Sequence, residues 1–371
     1  MKKKLAVLGA SYLQKPLIEK ALALGVETHC FAWDKDAVCK EISDYFYPIS
    51  VLEYDTILEK CKEISIDGIT TIAMDICIPV VNKIAQQLHL VGNSDFCSIT
   101  TTEKSRMKEV LKENRIPIAF YLETFQRNFT EDHDFIFPLI VKPVDRSGSL
   151  GVTIVNNYTE LNNAVKVSCE YSFQKKSIIE QFIEGAEVSV ETISYKGKHK
   201  VLAITDKKIT KKPYFVEIEH HQPSQYDNVL QSEIIEIALR TLEATRVENG
   251  ASHIEFIIDK ERNVYVNEIG SRMGGDFIGS HLVQLSTGFD YVKAIIDIAL
   301  GEFSMPKIVQ NINHSGVYFL SQENPHLLKY FEEDYDFIVQ KEITNSSLKP
   351  LKSSADRSGY IIYQSDRPII L

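Results

Sequence analysis

The chain has no CxxC pair, no long apolar run, no surplus of positive charge and no internal repeat, and each absence removes a class of protein. Its six cysteines, Cys30, Cys39, Cys61, Cys77, Cys97 and Cys169, show no metal-ligand spacing. They read as reduced, mostly buried thiols rather than a disulfide frame or a zinc site. No apolar stretch approaches the roughly 20 residues that span a bilayer. The basic start Met1-Lys2-Lys3-Lys4 leads into Leu5–Ala10, which breaks at once into Ser11-Tyr12-Leu13-Gln14-Lys15 without a cleavage-site pattern, so a leader is not expected. A net charge of −10, from 41 basic and 51 acidic residues, leaves no basic face for nucleic acid. The expectation is a soluble, cytoplasmic protein with no nucleic-acid or membrane partner, whose acidic body holds one local basic pocket for an anionic ligand.

What is present is an ordinary globular composition, 44% hydrophobic and 25% charged over 371 residues, enough for two or three lobes. Residues 1–95 alternate short apolar runs with amphipathic stretches, the pattern of a parallel sheet flanked by helices. Strands are expected at Leu5–Gly9, Thr28–Trp33 and Asp67–Ala73, with a helix between the first two that buries Leu17, Ile18, Ala21 and Leu22, starts near Pro16 and closes at Gly25. The turn Gly9-Ala10-Ser11 lies where a dinucleotide-binding loop would lie but lacks the rest of the GxGxxG pattern. A helix is expected from Glu103 to Asn114, capped by Thr100–Thr102 and stopped before Pro117. From there to residue 300 the pattern is strand-rich, with turns at Lys196-Gly197-Lys198 and Lys260–Asn263 and helices near Val229–Val247 and Phe289–Leu300. Residues 301–371, with strands at Gly316–Leu320 and Tyr360–Tyr363, read as a small α+β lobe.

The most informative segment is SHIEFIIDKERNVYVNEIGSRMGG, Ser252 to Gly275. Two strand-like runs flank a turn centred on Glu261-Arg262, and an antiparallel hairpin about that turn sets Glu255 directly opposite Glu268 on one face. Like charges placed opposite each other need a compensating cation, and a pair of hard oxygen ligands suits Mg²⁺. A shifted register with both glutamates solvated is the alternative. His253 lies on the same face, within reach of substrate, although a structural histidine is the plainer reading. Arg272 follows, suited to hold an anionic acyl or phosphoryl group. Gly274 and Gly275 would let backbone N–H groups approach that anion; an ordinary loop with a surface arginine is the bland reading.

Upstream, the apolar strand PLIVKP carries Lys142 where a lysine needs an anion. The loop DRSGSLGV follows, with Ser147, Gly148 and Ser149 at its centre, and its amides could cover phosphates. Next comes SIIEQFIEGAEVSVE. Its strand ends at Glu180, Phe182 and Ile183 could wall a flat ring, and Glu187 could reach hydroxyls beyond it. Taken alone, the same segment is an edge strand with alternating charges.

Taken in order, the Lys104 helix, Lys142, DRSGSLGV, EQFIEGAEVSVE, HIEF and NEIGSRMGG resemble the ATP-grasp superfamily, and most closely its carboxylate–amine ligases, which include the L-amino-acid ligases and relatives of the carbamoyl-phosphate synthase large subunit. The resemblance extends over the whole chain, from VLGASYLQKPLIEKALALG to Asp356-Arg357-Ser358-Gly359-Tyr360. It implies an α/β and α+β fold: a Rossmann-like pre-ATP-grasp domain at 1–95, an ATP-grasp domain at 96–300 with a central ATP-binding lobe at about 115–185, and a C-terminal α+β lobe at 301–371. It implies that Lys104 and Lys142 bind the phosphates of ATP under a mobile loop at Ser147–Gly151. Glu180, Phe182 and Ile183 would form the adenine hinge, with Glu187 on the ribose. Glu255 and Glu268 would hold Mg²⁺, with Mn²⁺ an admissible substitute, and Arg272 would steady an acyl phosphate. The segment KKITKKPYFVEIEHHQPS makes Glu217 and His220 candidates for the acceptor amine, a solvated charged strand being the equal alternative. In two places the chain departs from the family: Gly270 stands where an asparagine is usual, and Leu150 where the loop often has a basic residue.

The expected activity is ATP-dependent phosphorylation of a small carboxylate and its coupling to an amine, with Lys142 and Arg272 as catalytic groups and a homodimer as an admissible assembly. Phosphoryl transfer of this kind rests on positioning and charge neutralisation rather than on a protein nucleophile. A carboxylase or transformylase-like enzyme activating bicarbonate or formate is the alternative within the superfamily. A non-catalytic nucleotide-binding module is the alternative outside it. An NAD-dependent oxidoreductase fails on the incomplete glycine pattern.

Overall fold

The computed structural model describes residues 2–125, 128–146, 150–210, 215–307 and 309–371. The first lobe is a parallel sheet of β1 (Lys4–Leu8), β2 (Glu27–Phe31), β3 (Tyr45–Tyr47) and β4 (Gly68–Thr70) in the order β3-β2-β1-β4. β1 is a fully buried apolar run from Leu5 to Leu8, as a strand covered on both faces requires, whereas β2 also buries Thr28 and His29 and the edge strand β3 is partly exposed. Helix α1 (Lys15–Ala23) takes Pro16 in its first turn, buries Leu17, Ile18 and Ala21, and ends before Gly25 at φ +75. Helices α2 (Tyr54–Ile64) and α3 (Ile78–Gln87) bury Ile57, Cys61, Val81 and Ile84 in the same lobe. The short edge strand β3 is an addition to the strands expected from sequence. All six cysteines are free and buried, as their spacing indicates.

The threonine cluster does not cap the helix that follows it. Residues Asp95–Thr100 form a separate short helix, α4, and the hydroxyls of Thr100, Thr101 and Thr102 bond back to its carbonyls. Side chains that satisfy the preceding turn are not free to cap the next, and α5 (Lys104–Glu113) starts at Glu103 without a side-chain cap.

A second sheet, antiparallel, joins β5 (Tyr121–Thr124), β6 (Leu139–Pro143), β7 (Thr153–Val155) and β8 (Ser177–Gln181) in the order β5-β8-β6-β7. Helix α6 (Tyr158–Tyr171), capped by the Asn157 side chain, packs Leu161, Ala164 and Val165 onto it. This helix is absent from the strand-rich expectation for the region.

The third sheet is the frame of the molecule. It joins β9 (Gly185–Tyr195), β10 (Lys198–Ile209), β11 (Glu217–Gln222), β12 (Gly250–Asp259), β13 (Val264–Gly270), β14 (His314–Leu320), β15 (Ile338–Ile343) and β16 (Gly359–Ser365). Their order is β13-β12-β9-β10-β11-β14-β16-β15, antiparallel throughout. Lys196 and Gly197 turn the β9–β10 hairpin with positive φ at both positions, as a tight two-residue turn demands. Helix α7 (Asn228–Ala244) covers one face through Leu230, Ile234, Ala238 and Leu242. Beyond the short helix α8 (Val283–Thr287), α9 (Tyr291–Ala299) packs between this sheet and the first lobe. Of the C-terminal strands β14 pairs directly onto β11, with β16 and then β15 beyond it, so that segment continues the central sheet.

Candidate active site

The β12–β13 hairpin places Glu255 directly opposite Glu268, as the turn arithmetic requires. The register holds from His253↔Gly270 to that pair and then slips by one between Glu255 and Phe256, so that nearer the turn Phe256 faces Val266. The residue left over is Asn267. A bulge of this kind crowds its neighbours onto one face, and the Asn267 amide Nδ2 lies 3.4 Å from Glu255 Oε2.

Two lysines supply the compensating charge that the opposed glutamates demand. Lys207 Nζ, on β10, lies 2.8 Å from Glu255 Oε1, 3.0 Å from Glu217 Oε1 and 3.8 Å from Glu187 Oε2. Lys104 Nζ, at the start of α5, lies 2.8 Å from Glu268 Oε1 and 2.7 Å from the Arg146 carbonyl. Burial pushes the Glu255 carboxyl up, but Lys207 and His253 override it and hold it well below the carboxylate range. Burial pulls the lysines down, and the carboxylates around Lys207 and Glu268 beside Lys104 reverse the direction, so both are raised.

Lys142, near the end of β6, lies 3.0 Å from Glu180 Oε1, and Lys108, one turn after Lys104, lies 3.6 Å from Glu180 Oε2. Lys108 also donates to the Val266 carbonyl at 3.1 Å. The Glu180 carboxylate therefore faces inward, as counter-ion to two lysines. Phe182 and Ile183, half-buried, sit in the link between β8 and β9, where a hinge is expected, and Phe182 lies 6.0 Å from Phe215. Burial pushes the Glu187 carboxyl up to about 7, aided by Glu255 and Glu217 and opposed chiefly by Lys207. Ser147, Gly148 and Ser149 lie outside the described residues.

Arg272 leaves the end of β13 and makes a two-pronged pair with Asp75, Nε to Oδ1 and Nη2 to Oδ2, both at 2.8 Å. Gly274 does not hold its N–H open for an anion: it donates to Glu191 Oε2 at 3.0 Å, because Glu191 is buried and needs donors. The other Glu191 oxygen meets His253 Nδ1, whose Nε2 lies 3.3 Å from Glu255. His253 is thus a satisfied structural link behind the carboxylate pair. Gly275 lines a small cavity with Tyr12, Leu13, Ile72, Ala73 and Phe277.

Glu217 and His220 meet Asp276 and Arg357. Arg357 donates to Asp276 Oδ2 at 2.8 Å and to Glu217 Oε2 at 3.2 Å, and its guanidinium stands 3.7 Å over the Phe319 ring. Burial pushes Glu217 up, but Lys207 and Arg357 hold it down at about 2. His220 is fully buried, with no partner on either ring nitrogen among the described residues, and burial lowers its pKa well below the usual range. Lys207, Lys108, Asp75, Glu191, Asp276 and Arg357 are residues that sequence reasoning did not single out as site groups, although Lys207, Glu191 and Arg357 stand within segments that it quoted.

Residues 135–280 match the family model described as an ATP-grasp domain. That segment of the chain is similar to ATP-grasp domains. It is 30% identical over 239 residues to a D-alanine–D-alanine ligase of Thermosipho africanus, a match covering 58% of this chain and 62% of that one. It is 24% identical over 332 residues to an alanine–anticapsin ligase of Bacillus subtilis, covering 78% and 68%. The chain thus spans a little over three fifths of the length of the first of these curated relatives. The crystal structure of an L-amino acid ligase from Bacillus licheniformis superposes with a TM-score of 0.82 over 99% of this chain and 94% of that one, at 22% identity. The shared architecture is that of ATP-grasp enzymes. No described helix is long and apolar enough to cross a membrane.

Proposed function

We propose that this protein is an ADP-forming carboxylate–amine ligase: ATP phosphorylates a small carboxylate to an acyl phosphate, and an amine displaces the phosphate to form an amide. The observation that carries the reading is the opposed pair Glu255 and Glu268, backed by Lys207 and Lys104, with Lys142 and Arg272 at its borders. The relatives' names, ligases that act on alanine, support the same class.

The carboxylate pair fits a hard divalent ion. The side chains of Glu255 and Glu268 remain 26% and 29% exposed, whereas the lysines behind them are nearly closed off at 2% and 7%. The lysines thus hold each carboxylate from within and leave its outer side open to Mg²⁺, or Mn²⁺ in its place. Such an ion neutralises the oxygens of the transferred phosphoryl group when bound. Lys104 and Lys142 bind the phosphates, Phe182 and Ile183 wall the adenine, and Glu187 takes the ribose. The inward carboxylate of Glu180 serves the base only indirectly, by fixing Lys142. Ser147, Gly148 and Ser149 are assigned to ATP by their place in the sequence, just after Lys142. Arg272 steadies the acyl phosphate, with Gly275 lining the acyl side and Gly274 anchoring that loop to Glu191. Glu217 and His220 face the amine: a carboxylate held ionised and a buried histidine held neutral offer acceptors to an ammonium and to the proton it gives up. The divisions at residues 95 and 300 are proposed as domain boundaries, the second falling within one continuous sheet, with cytoplasm as the location and a homodimer as the assembly.

A screen of carboxylate and amine pairs with ATP and Mg²⁺, read by phosphate release, tests the reading. Stimulation by amino-acid pairs is expected, and stimulation by bicarbonate alone would overturn it. Glu268→Gln is expected to lower phosphate release at least about 100-fold at ordinary Mg²⁺; unaltered turnover would remove Glu268 from the metal site.

A further inference from the structure

Gly270 is one of the two departures from the family pattern, and its backbone does not explain it. The residue lies within the β12–β13 ladder opposite His253, and it is not among the glycines with positive φ, so conformation does not call for glycine there. Space does. A Cβ at position 270 would stand 2.5 Å from Asp75 Oδ1, 3.3 Å from Arg272 Nε and 3.4 Å from Arg272 Cζ. All three atoms belong to one ion pair.

That pair joins two lobes. Asp75 follows β4 of the first sheet, and Arg272 follows β13 of the third. The contact is the planar, two-pronged kind that fixes a guanidinium in orientation as well as in place. The segment that carries Asp75 is itself pinned, because the Ala73 N–H donates to the Met273 carbonyl at 3.1 Å. Ala73 adopts a left-handed φ of +57 in doing so. Of the five N–H groups of a guanidinium, Asp75 takes one on Nε and one on Nη2, and the Met273 carbonyl, at 3.3 Å, takes one on Nη1. Among the described residues two remain, one on each terminal nitrogen, and two such N–H groups suit two oxygens of an anion.

We propose that Asp75 is a positioning residue that fixes the plane of Arg272, and that residue 270 is glycine in order to admit the Asp75 carboxylate. The proposal rests on the reading of Arg272 as the group that steadies the acyl phosphate. Through this contact the first lobe takes part in the reaction. An arginine already locked in plane offers its free edge without losing side-chain freedom at the moment charge develops.

The test compares the full-length wild type with Asp75→Asn, Gly270→Ala and the double variant Asp75→Ala/Gly270→Ala. The first readout is the Arg272 Nε–H resonance without nucleotide. It is expected to be protected from exchange in the wild type and exposed in every variant. The second is turnover with the carboxylate–amine pair that releases most phosphate. A fall in kcat of about 100-fold is expected in each single variant, with KM for ATP changed by no more than about twofold and the double variant no worse than either single one. A protected Nε–H in Gly270→Ala, additive losses in the double variant, or an unchanged or increased kcat in Asp75→Asn would each overturn the proposal; the last would mark Asp75 as a competitor for Arg272. Should the wild type release no phosphate with any pair, the ligase reading falls, and the resonance alone decides whether Gly270 admits the Asp75–Arg272 contact.

Discussion

At the scale of single residues, the site is defined by carboxylates that sit close together and are kept apart in protonation by their lysines. Glu187 is the outlier, raised to about 7 while Glu217 is held at about 2 and Glu255 well below its usual range. Because the Glu187 value in the folded protein lies above that of a free carboxyl, the proton stays bound from ordinary carboxylate pH up to near 7, and the ionised form appears only as pH rises through it. If ribose hydroxyls donate to this carboxylate, binding of ADP requires the ionised form. Its affinity is then expected to fall as pH drops below 7, by at most about tenfold per unit. Calorimetry of ADP binding from pH 6 to 8 should show a steeper slope for the wild type than for Glu187→Gln. Equal slopes would remove Glu187 from the ribose.

Among the elements, α5 and the β12–β13 hairpin do most to assemble the site. Lys104 and Lys108, four apart, lie on one face of the helix: the first reaches Glu268 and the second reaches Glu180 and the Val266 carbonyl. Burial, with Lys142 adding to it, lowers Lys108 to about 8 against the pull of Glu180. Replacing it by methionine leaves Glu180 buried with Lys142 as its one remaining ion-pair partner among the described residues. Removing one member of a buried pair costs about 3–5 kcal/mol when nothing else compensates, and Lys142 compensates in part. Lys108→Met is therefore expected to lower stability by about 2–3 kcal/mol in urea unfolding, and Lys108→Met/Glu180→Gln to recover most of it. A loss in the double variant equal to that in the single one would show that Lys108 matters for packing and not for charge. In the hairpin, turn position and alternation indicate the Glu255–Glu268 pairing, but not the bulge at Asn267. A bulge depends on how the two strands bend within the wider sheet, which their own sequences do not state.

On the scale of the whole molecule, the central sheet decides what can be separated from what. β14 pairs with β11 and β16 with β14, and Arg357, just before β16, ties Glu217 to Asp276. A chain ending at residue 300 would expose the β11 edge and strip the carboxylates of their arginine. It is expected to be aggregated or unfolded by circular dichroism and gel filtration, since an open edge pairs with other chains. A monodisperse, folded truncation would show that the C-terminal segment is an independent lobe. Arg357→Met in the intact chain separates the two effects: the sheet should persist, while Glu217 and Asp276 lose their shared partner.

The sequence by itself determined the parallel first lobe, the helices near 229 and 289, the tight turn at Lys196-Gly197, and the opposed glutamates of the hairpin. Periodicity, turn chemistry and pairing across a short turn are local, and local order is written in neighbouring residues. Lys142 and Arg272 were legible because their types are unusual where they stand, and Lys104 only through the family resemblance. Only the tertiary structure decided which partner each one meets. Glu255 is held by a lysine 48 positions away, Glu268 by one 164 away and Arg272 by an aspartate 197 away. Charge pairing depends on distance in space, and sheet order sets that distance. For the same reason only the fold accounts for glycine at position 270, where the family usually has asparagine: Asp75, 195 positions away in sequence, fills the space beside it.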